Sequence, residues 1–148
     1  MPKKISYMYS HKNLVHLLTI LEAIEKIFLY TNSFSDAEEF YFANKQLNFN
    51  ATVNLLIAIG EESKKIDNNL KDLTDMDWGS VGKLRDKIAH NYRGIDDSIV
   101  WDIVCNHLPK LKKASLEMIP KIEEFKLYIE KAIRSGYYEE LNYLEKFL

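Results

Sequence analysis

Apolar residues recur every three or four positions along almost the whole chain, the period of an α-helix with one buried face. Leu14, Leu17, Leu18, Leu21, Ile24 and Phe28 form the first such stripe, with Ser10 placed as its N-cap. Ser35 followed by Glu38 has the spacing of a capping box and predicts a short second helix. From about 45 to 67, Leu55, Leu56 and Ile59 predict a long, largely buried helix ended by the polar cluster Asp67-Asn68-Asn69. Gly60 inside that helix costs about 1 kcal/mol relative to alanine unless a neighbour packs close against it.

Trp78, Val81, Leu84 and Ile88 give the next helix its inward stripe, and Gly94 fits a C-terminal stop. Asp96 or Asp97 then caps a helix that turns Val100, Val104, Leu108 and Leu111 inward, with Pro109 predicted to kink it. There are only five glycines and three prolines in 148 residues, and no repeat, low-complexity tract or linker. The pattern therefore predicts an all-α fold, a four- to five-helix up-and-down bundle in a single domain spanning residues 1–148. After Pro120 a helical C-terminal extension is expected, marked by Ile122, Phe125, Ile129 and Ile133, a break at Ser135-Gly136, and then Tyr138, Leu141, Leu144 and Phe147. Its apolar faces cover the chain's own bundle, a second protomer or a protein partner.

Composition narrows the function classes. With 47% hydrophobic residues the chain can bury one proper core, and its net charge of -2 argues against a broad basic face for extended nucleic-acid binding. Any such contact is local. Lys83, Arg85, Lys87, His90 and Arg93 cluster in sequence, as either a small electropositive patch or a solvated helix face. Cys105 is the lone cysteine, so no intrachain disulfide or thiolate zinc site can form, and His11, His16 and His107 have no metal-ligand spacing. No metal or cofactor is expected. No run approaches the roughly 20 apolar residues needed to span a bilayer, which predicts no membrane association and a cytoplasmic protein.

The segment Leu84-Arg85-Asp86-Lys87-Ile88-Ala89-His90-Asn91-Tyr92 carries the candidate chemistry. RNA cleavage without a metal needs a base for the ribose 2′-hydroxyl proton and a cation for the phosphorane-like transition state. His90, which titrates near neutral pH, suits the first task, and Arg85, always cationic, the second. Five residues turn an ideal helix by about 140° beyond a full turn, so Arg85 and His90 do not share a helical face. Either the helix ends before His90 or the site forms where two such helices meet. Asp86, four residues before His90, either orients its ring or forms a plain surface pair. Asn91 is a phosphate donor or a solvated helix end. Glu61 pairs with Arg85 or His90, or is a surface carboxylate. Trp101, Cys105 and the tyrosines of residues 137 to 143 read as core or interface.

The spacing R-x-x-x-x-H-x-Y of Arg85, His90 and Tyr92 resembles the HEPN ribonuclease signature. Three flanking blocks extend the likeness: Ile59-Gly60-Glu61-Glu62-Ser63-Lys64, Asp77-Trp78-Gly79-Ser80-Val81 and Gly94-Ile95-Asp96-Asp97-Ser98-Ile99-Val100-Trp101. Together they resemble the HepT-like branch over roughly residues 10 to 119, leaving 120–148 outside. This resemblance implies the toxin half of a HepT/MntA (HEPN/MNT) toxin–antitoxin pair, a type VII-like system whose toxin is a metal-independent endoribonuclease. It implies a homodimer with Arg85 and His90 of each chain lining a shared cleft. It also implies a minimal, MntA-like nucleotidyltransferase antitoxin that silences the toxin by AMPylation of the motif tyrosine, here Tyr92. The alternatives are a non-catalytic nucleotide-binding or substrate-binding partner of a nucleotidyltransferase, and a plain helical dimer used in assembly.

Overall fold

The computed structural model describes residues 8–88 and 96–148. Among them the chain is helical, with one isolated parallel bridge between Tyr9 and Ile122 and no β-strand. The centre is α1 (Lys12–Thr31), which packs chiefly against α3 (Leu47–Ser63). Leu14, Leu17, Leu18, Leu21 and Ile24 are buried as the stripe requires, joined by Ile20 and Ile27 because neighbours cover a broad face of α1. Ser10 Oγ accepts the Lys12 amide at 3.2 Å, although the helix proper starts one residue later than a serine cap implies.

The second helix, α2 (Ala37–Phe42), begins one residue after the position that Ser35 and Glu38 predict. Asp36 is its cap, Oδ1 accepting the Glu39 amide at 2.8 Å, while the Glu39 carboxylate accepts the Ser35 amide at 3.3 Å. An ionised carboxylate at the positive end of a helix is a stronger acceptor than the serine hydroxyl. Phe40 is fully buried, its ring centroid 5.6 Å from that of Phe49 and 5.3 Å from that of Trp101.

Between α2 and α3, three successive residues without glycine's freedom adopt left-handed backbone: Asn44, Lys45 and Gln46, with φ of 50°, 56° and 70°. This run starts α3 at Leu47 rather than 45. At its far end α3 stops at Ser63, short of 67, and the polar cluster opens a separate turn, α4 (Asn68–Lys71).

The predicted motif helix is two pieces, α5 (Trp78–Gly82) and α6 (Leu84–Ile88), separated by Lys83 at φ -100°, ψ 13°. Its stripe holds: Trp78, Val81, Leu84 and Ile88 are all buried. Beyond it Asp96 caps α7 (Asp97–Asp102), its Oδ1 accepting the Ser98 and Ile99 amides at 2.9 and 3.3 Å. A wide π-turn over Ile103–His107 follows, then α8 (Leu108–Met118) with Pro109 in its first turn. In place of the expected kink, the structure has a widened turn just before Pro109, which leaves room for the proline ring against the preceding turn. Val100, Val104, Leu108 and Leu111 face the core.

The extension folds back on its own bundle. A backbone pair joins it to the start of the chain, the Tyr9 amide donating to the Lys121 carbonyl and the Glu123 amide to the Tyr9 carbonyl, each at 2.9 Å. Helix α9 (Phe125–Arg134) ends before Gly136, whose φ of 78° makes the break, and a 3₁₀ segment, Glu139–Phe147, packs on α1 and α9. Ile122, Ile129, Leu141 and Leu144 are buried. Under this segment Lys112 Nζ lies 2.8 Å from Glu25 Oε2 and 4.8 Å from the Tyr143 ring centroid. The Tyr143 hydroxyl is buried without a well-oriented partner, and burial, then the Glu25 charge, holds the phenol far above the ordinary tyrosine range.

Candidate active site on the motif helices

The motif helices are fixed from beneath by α3. Gly60 is buried where the two meet: a Cβ there would lie 3.0 Å from the Val81 carbonyl oxygen and 3.3 Å from Leu84 Cβ. Close packing is thus the reason for a glycine inside α3. The entry is pinned by side chains: Trp78 Nε1 donates to Thr74 Oγ1 at 2.9 Å, and Thr74 Oγ1 to the Lys71 carbonyl at 2.9 Å. Asp77 caps α5, accepting the Ser80 amide at 3.1 Å and its hydroxyl at 2.8 Å, which holds the Asp77 carboxyl below the ordinary range.

With Val81, Leu84 and Ile88 turned inward, Lys83, Arg85, Asp86 and Lys87 are left exposed. Arg85 and Lys83 form no ion pair among the described residues. Glu61 is exposed and does not bond Arg85, and a pairing of Glu61 with His90 lies outside the described residues. It pairs with Lys64 at 2.8 Å, and this hydrogen bond and charge lower its pKa, with a smaller contribution from Arg85. Arg85 therefore influences Glu61 through its field, not as a bonded partner. His90, Asn91 and Tyr92, together with Arg93 and Gly94, lie outside the described residues, and so does any pairing of Asp86 with His90.

The described histidines are engaged elsewhere. His16 Nδ1 lies 2.7 Å from Glu62 Oε1 between α1 and α3, and His11 stacks on Tyr128 with ring centroids 4.7 Å apart. His107 Nε2 is 3.2 Å from Asp102 Oδ2 across the π-turn. The Asp102 carboxyl is lowered first by its hydrogen bond with Asn106, then by His107, and weakly by the charge of Lys87. Cys105 is exposed rather than core, yet local desolvation raises its thiol pKa, the opposite of an activated nucleophile. Among the described residues no three His, Cys, Asp or Glu side chains are placed to hold a metal ion, and no helix is long and apolar enough to cross a membrane.

Periodicity missed one feature of this region. Lys71 is buried at 9% exposure, its Nζ donating to the Ser63 carbonyl at 3.0 Å. In the sequence it stands in an ordinary polar turn, and only the ending of α3 at Ser63 brings it inside.

The chain has clear relatives. Residues 20–118 match the family described as Ribonuclease HepT-like. A protein of Thermococcus cleftensis named "Probable ribonuclease HepT" is 36% identical over 104 residues, covering 70% of this chain and 90% of the relative. A "Putative RNase" of Methanocaldococcus jannaschii is 33% identical over 108 residues, covering 72% of this chain and 87% of that protein. A second such protein from the same organism is 34% identical over 98 residues, 66% of this chain and 87% of its own length. No solved structure matches the chain significantly. The matched span holds the Gly60 contact, both motif helices and the capped α7, and the chain belongs to the HepT-like ribonuclease family.

Proposed function

We infer that the protein is a metal-independent endoribonuclease and the toxin of a two-component system, acting through Arg85 and His90. The observation that carries this is the exposed guanidinium of Arg85, displayed on a short helix whose inner face is clamped on α3, in a chain of a ribonuclease family. His90 takes the proton of a ribose 2′-hydroxyl, whose oxygen attacks the adjacent phosphorus while Arg85 stabilises the charge that develops. The bond to the 5′-oxygen breaks, and that oxygen leaves with a proton, giving a 2′,3′-cyclic phosphate and a 5′-hydroxyl. On an ideal helix Arg85 and His90 would stand about 140° apart, which favours a site shared by two copies, with the motif helices of a homodimer meeting across one cleft. Tyr92, seven residues beyond Arg85 in sequence, is the acceptor of AMP from a nucleotidyltransferase antitoxin. The added bulk and negative charge occupy the place of the RNA phosphate.

The test is cleavage of end-labelled RNA by the purified protein in the presence of a chelator. Arg85→Ala and His90→Ala should each lower the rate at least about a hundredfold, the usual scale for a lost base or charge stabiliser. Activity abolished by the chelator but retained in His90→Ala overturns the mechanism. Light scattering should give the mass of a dimer, and full activity from a monomer overturns the shared cleft.

A further inference from the structure

The C-terminal end of α3, the turn α4 and the outer side of α5 and α6 enclose an open groove of about 640 Å³. Lys64, Lys71 and Lys83 stand on its walls. Lys64 and Lys83 are exposed, but Lys71 is a buried ammonium whose one hydrogen bond is to the Ser63 carbonyl, and it forms no ion pair among the described residues. An ammonium has three N–H donors, so beyond the one given to the Ser63 carbonyl this cation has donors to spare at the groove wall. Desolvation pushes its pKa below the ordinary lysine range. A buried cation beside a groove is unfavourable by itself, and an anion in the groove offsets that.

The groove adjoins the motif. Asp86, next to Arg85 on α6, forms part of its wall, and the stem of Lys64 runs past Gly82, where an added Cβ would be 3.5 Å from Lys64 Cγ. Asp72 and Asp77 line it as well. This balance of charge is wrong for a long polyanion track and right for one phosphate held by ammonium groups, with carboxylates accepting from the amino edge of a base. The volume lies within the range of about 300–1,000 Å³ usual for small-ligand sites, enough for a nucleotide.

We propose that this groove is a subsite for single-stranded RNA in which Lys71 and Lys83 hold the phosphate of a nucleotide flanking the cleaved one. The assignment rests on the reading of Arg85 and His90 as a ribonuclease centre, but its binding test stands apart from cleavage. Fluorescence anisotropy with a 2′-O-methyl single-stranded oligonucleotide, which cannot undergo 2′-hydroxyl attack, is measured over a salt series, beside cleavage kinetics on the unmodified RNA. Lys83→Gln and Lys71→Met should each weaken binding about five- to tenfold and reduce the salt slope by about 0.7, the value for one lost phosphate contact on a single strand. In cleavage, KM should rise while kcat changes little. Lys126→Gln, on the exposed side of α9, should alter neither.

Because Lys71→Met removes a hydrogen bond at the end of α3, the exposed Lys83→Gln carries the test if that variant does not fold. Unchanged affinity, slope and KM in Lys83→Gln and folded Lys71→Met overturn the groove, reduce Lys71 to a cap on α3 and leave the ribonuclease standing. Lysine-dependent binding of the wild type without cleavage overturns the ribonuclease and leaves the groove. Absence of both binding and cleavage overturns both. Tighter binding of duplex RNA, with the same lysine dependence, overturns the single-strand assignment.

Discussion

Gly60 and Val81 approach so closely that a single methyl group on Gly60 would stand 3.0 Å from the Val81 carbonyl oxygen. The obstacle is main chain, which cannot swing away as a side-chain tip can. Gly60→Ala gains about 1 kcal/mol of helix propensity and loses about 1–3 kcal/mol to overpacking. A net destabilisation is expected, read as a lower urea midpoint at unchanged m-value, with RNA cleavage reduced because α5 leads directly into α6, which carries Arg85. A raised midpoint would mean that α5 moves aside without cost.

Asp96 stands at the other end of the motif region and accepts two amides of α7. Asp96→Ala should lower stability by about 1 kcal/mol, whereas Asp96→Asn should recover most of it. Equal melting temperatures for all three proteins would show that the α7 amides find solvent instead.

The buried Tyr143 phenol makes a pH-dependent prediction. Below about pH 10 it is neutral both folded and unfolded; above this, the unfolded chain loses the proton while the folded chain keeps it, so stability falls as pH rises. Tyr143→Phe should melt at a temperature equal to or above the wild type at pH 7, since a hydroxyl without a well-oriented partner is removed, and should show a shallower alkaline decline. Parallel pH profiles for the two proteins would place the alkaline sensitivity in other tyrosines.

Tyr92 is tested by mass. Co-expression with the cognate nucleotidyltransferase should add one or more AMP units to the wild type and none to Tyr92→Phe, which should stay toxic while escaping neutralisation. A shift that persists in Tyr92→Phe would move the acceptor elsewhere, with exposed Tyr137 the first to examine. Neutralisation without any shift would favour an antitoxin that acts by binding alone.

What the chain discloses by itself depends on how local the cause is. Trp78, Val81, Leu84 and Ile88 repeat at helical spacing, and Asp96 precedes an apolar stripe, so their burial and capping could be read directly. The exposed placing of Arg85 follows from that stripe. The left-handed run at 44–46 could not be read, because such backbone is normally marked by glycine and Asn44 is a weak sign; the break at Lys83, at a φ of -100° open to any residue, had only Gly79 and Gly82 beside it. Gly60 could be flagged as an anomaly, but its reason lies in Val81 on α5 and Leu84 on α6, packed across from it. Lys71 had no signal, since its burial is set by where α3 ends.

The π-turn of Ile103–His107 gives the helix a tolerance to changes in length. Losing one residue from a regular helix rotates everything downstream by about 100° and would carry Leu108 and Leu111 out of the core. Here the turn already holds one residue more than an α-helix needs. Deleting Cys105 or Asn106, both exposed, would let it close to an ordinary turn with the later residues in register. Such a shortened protein would keep its core, hold His107 beside Asp102 as an ordinary i,i+4 pair, and meet its resistance at Pro109 alone.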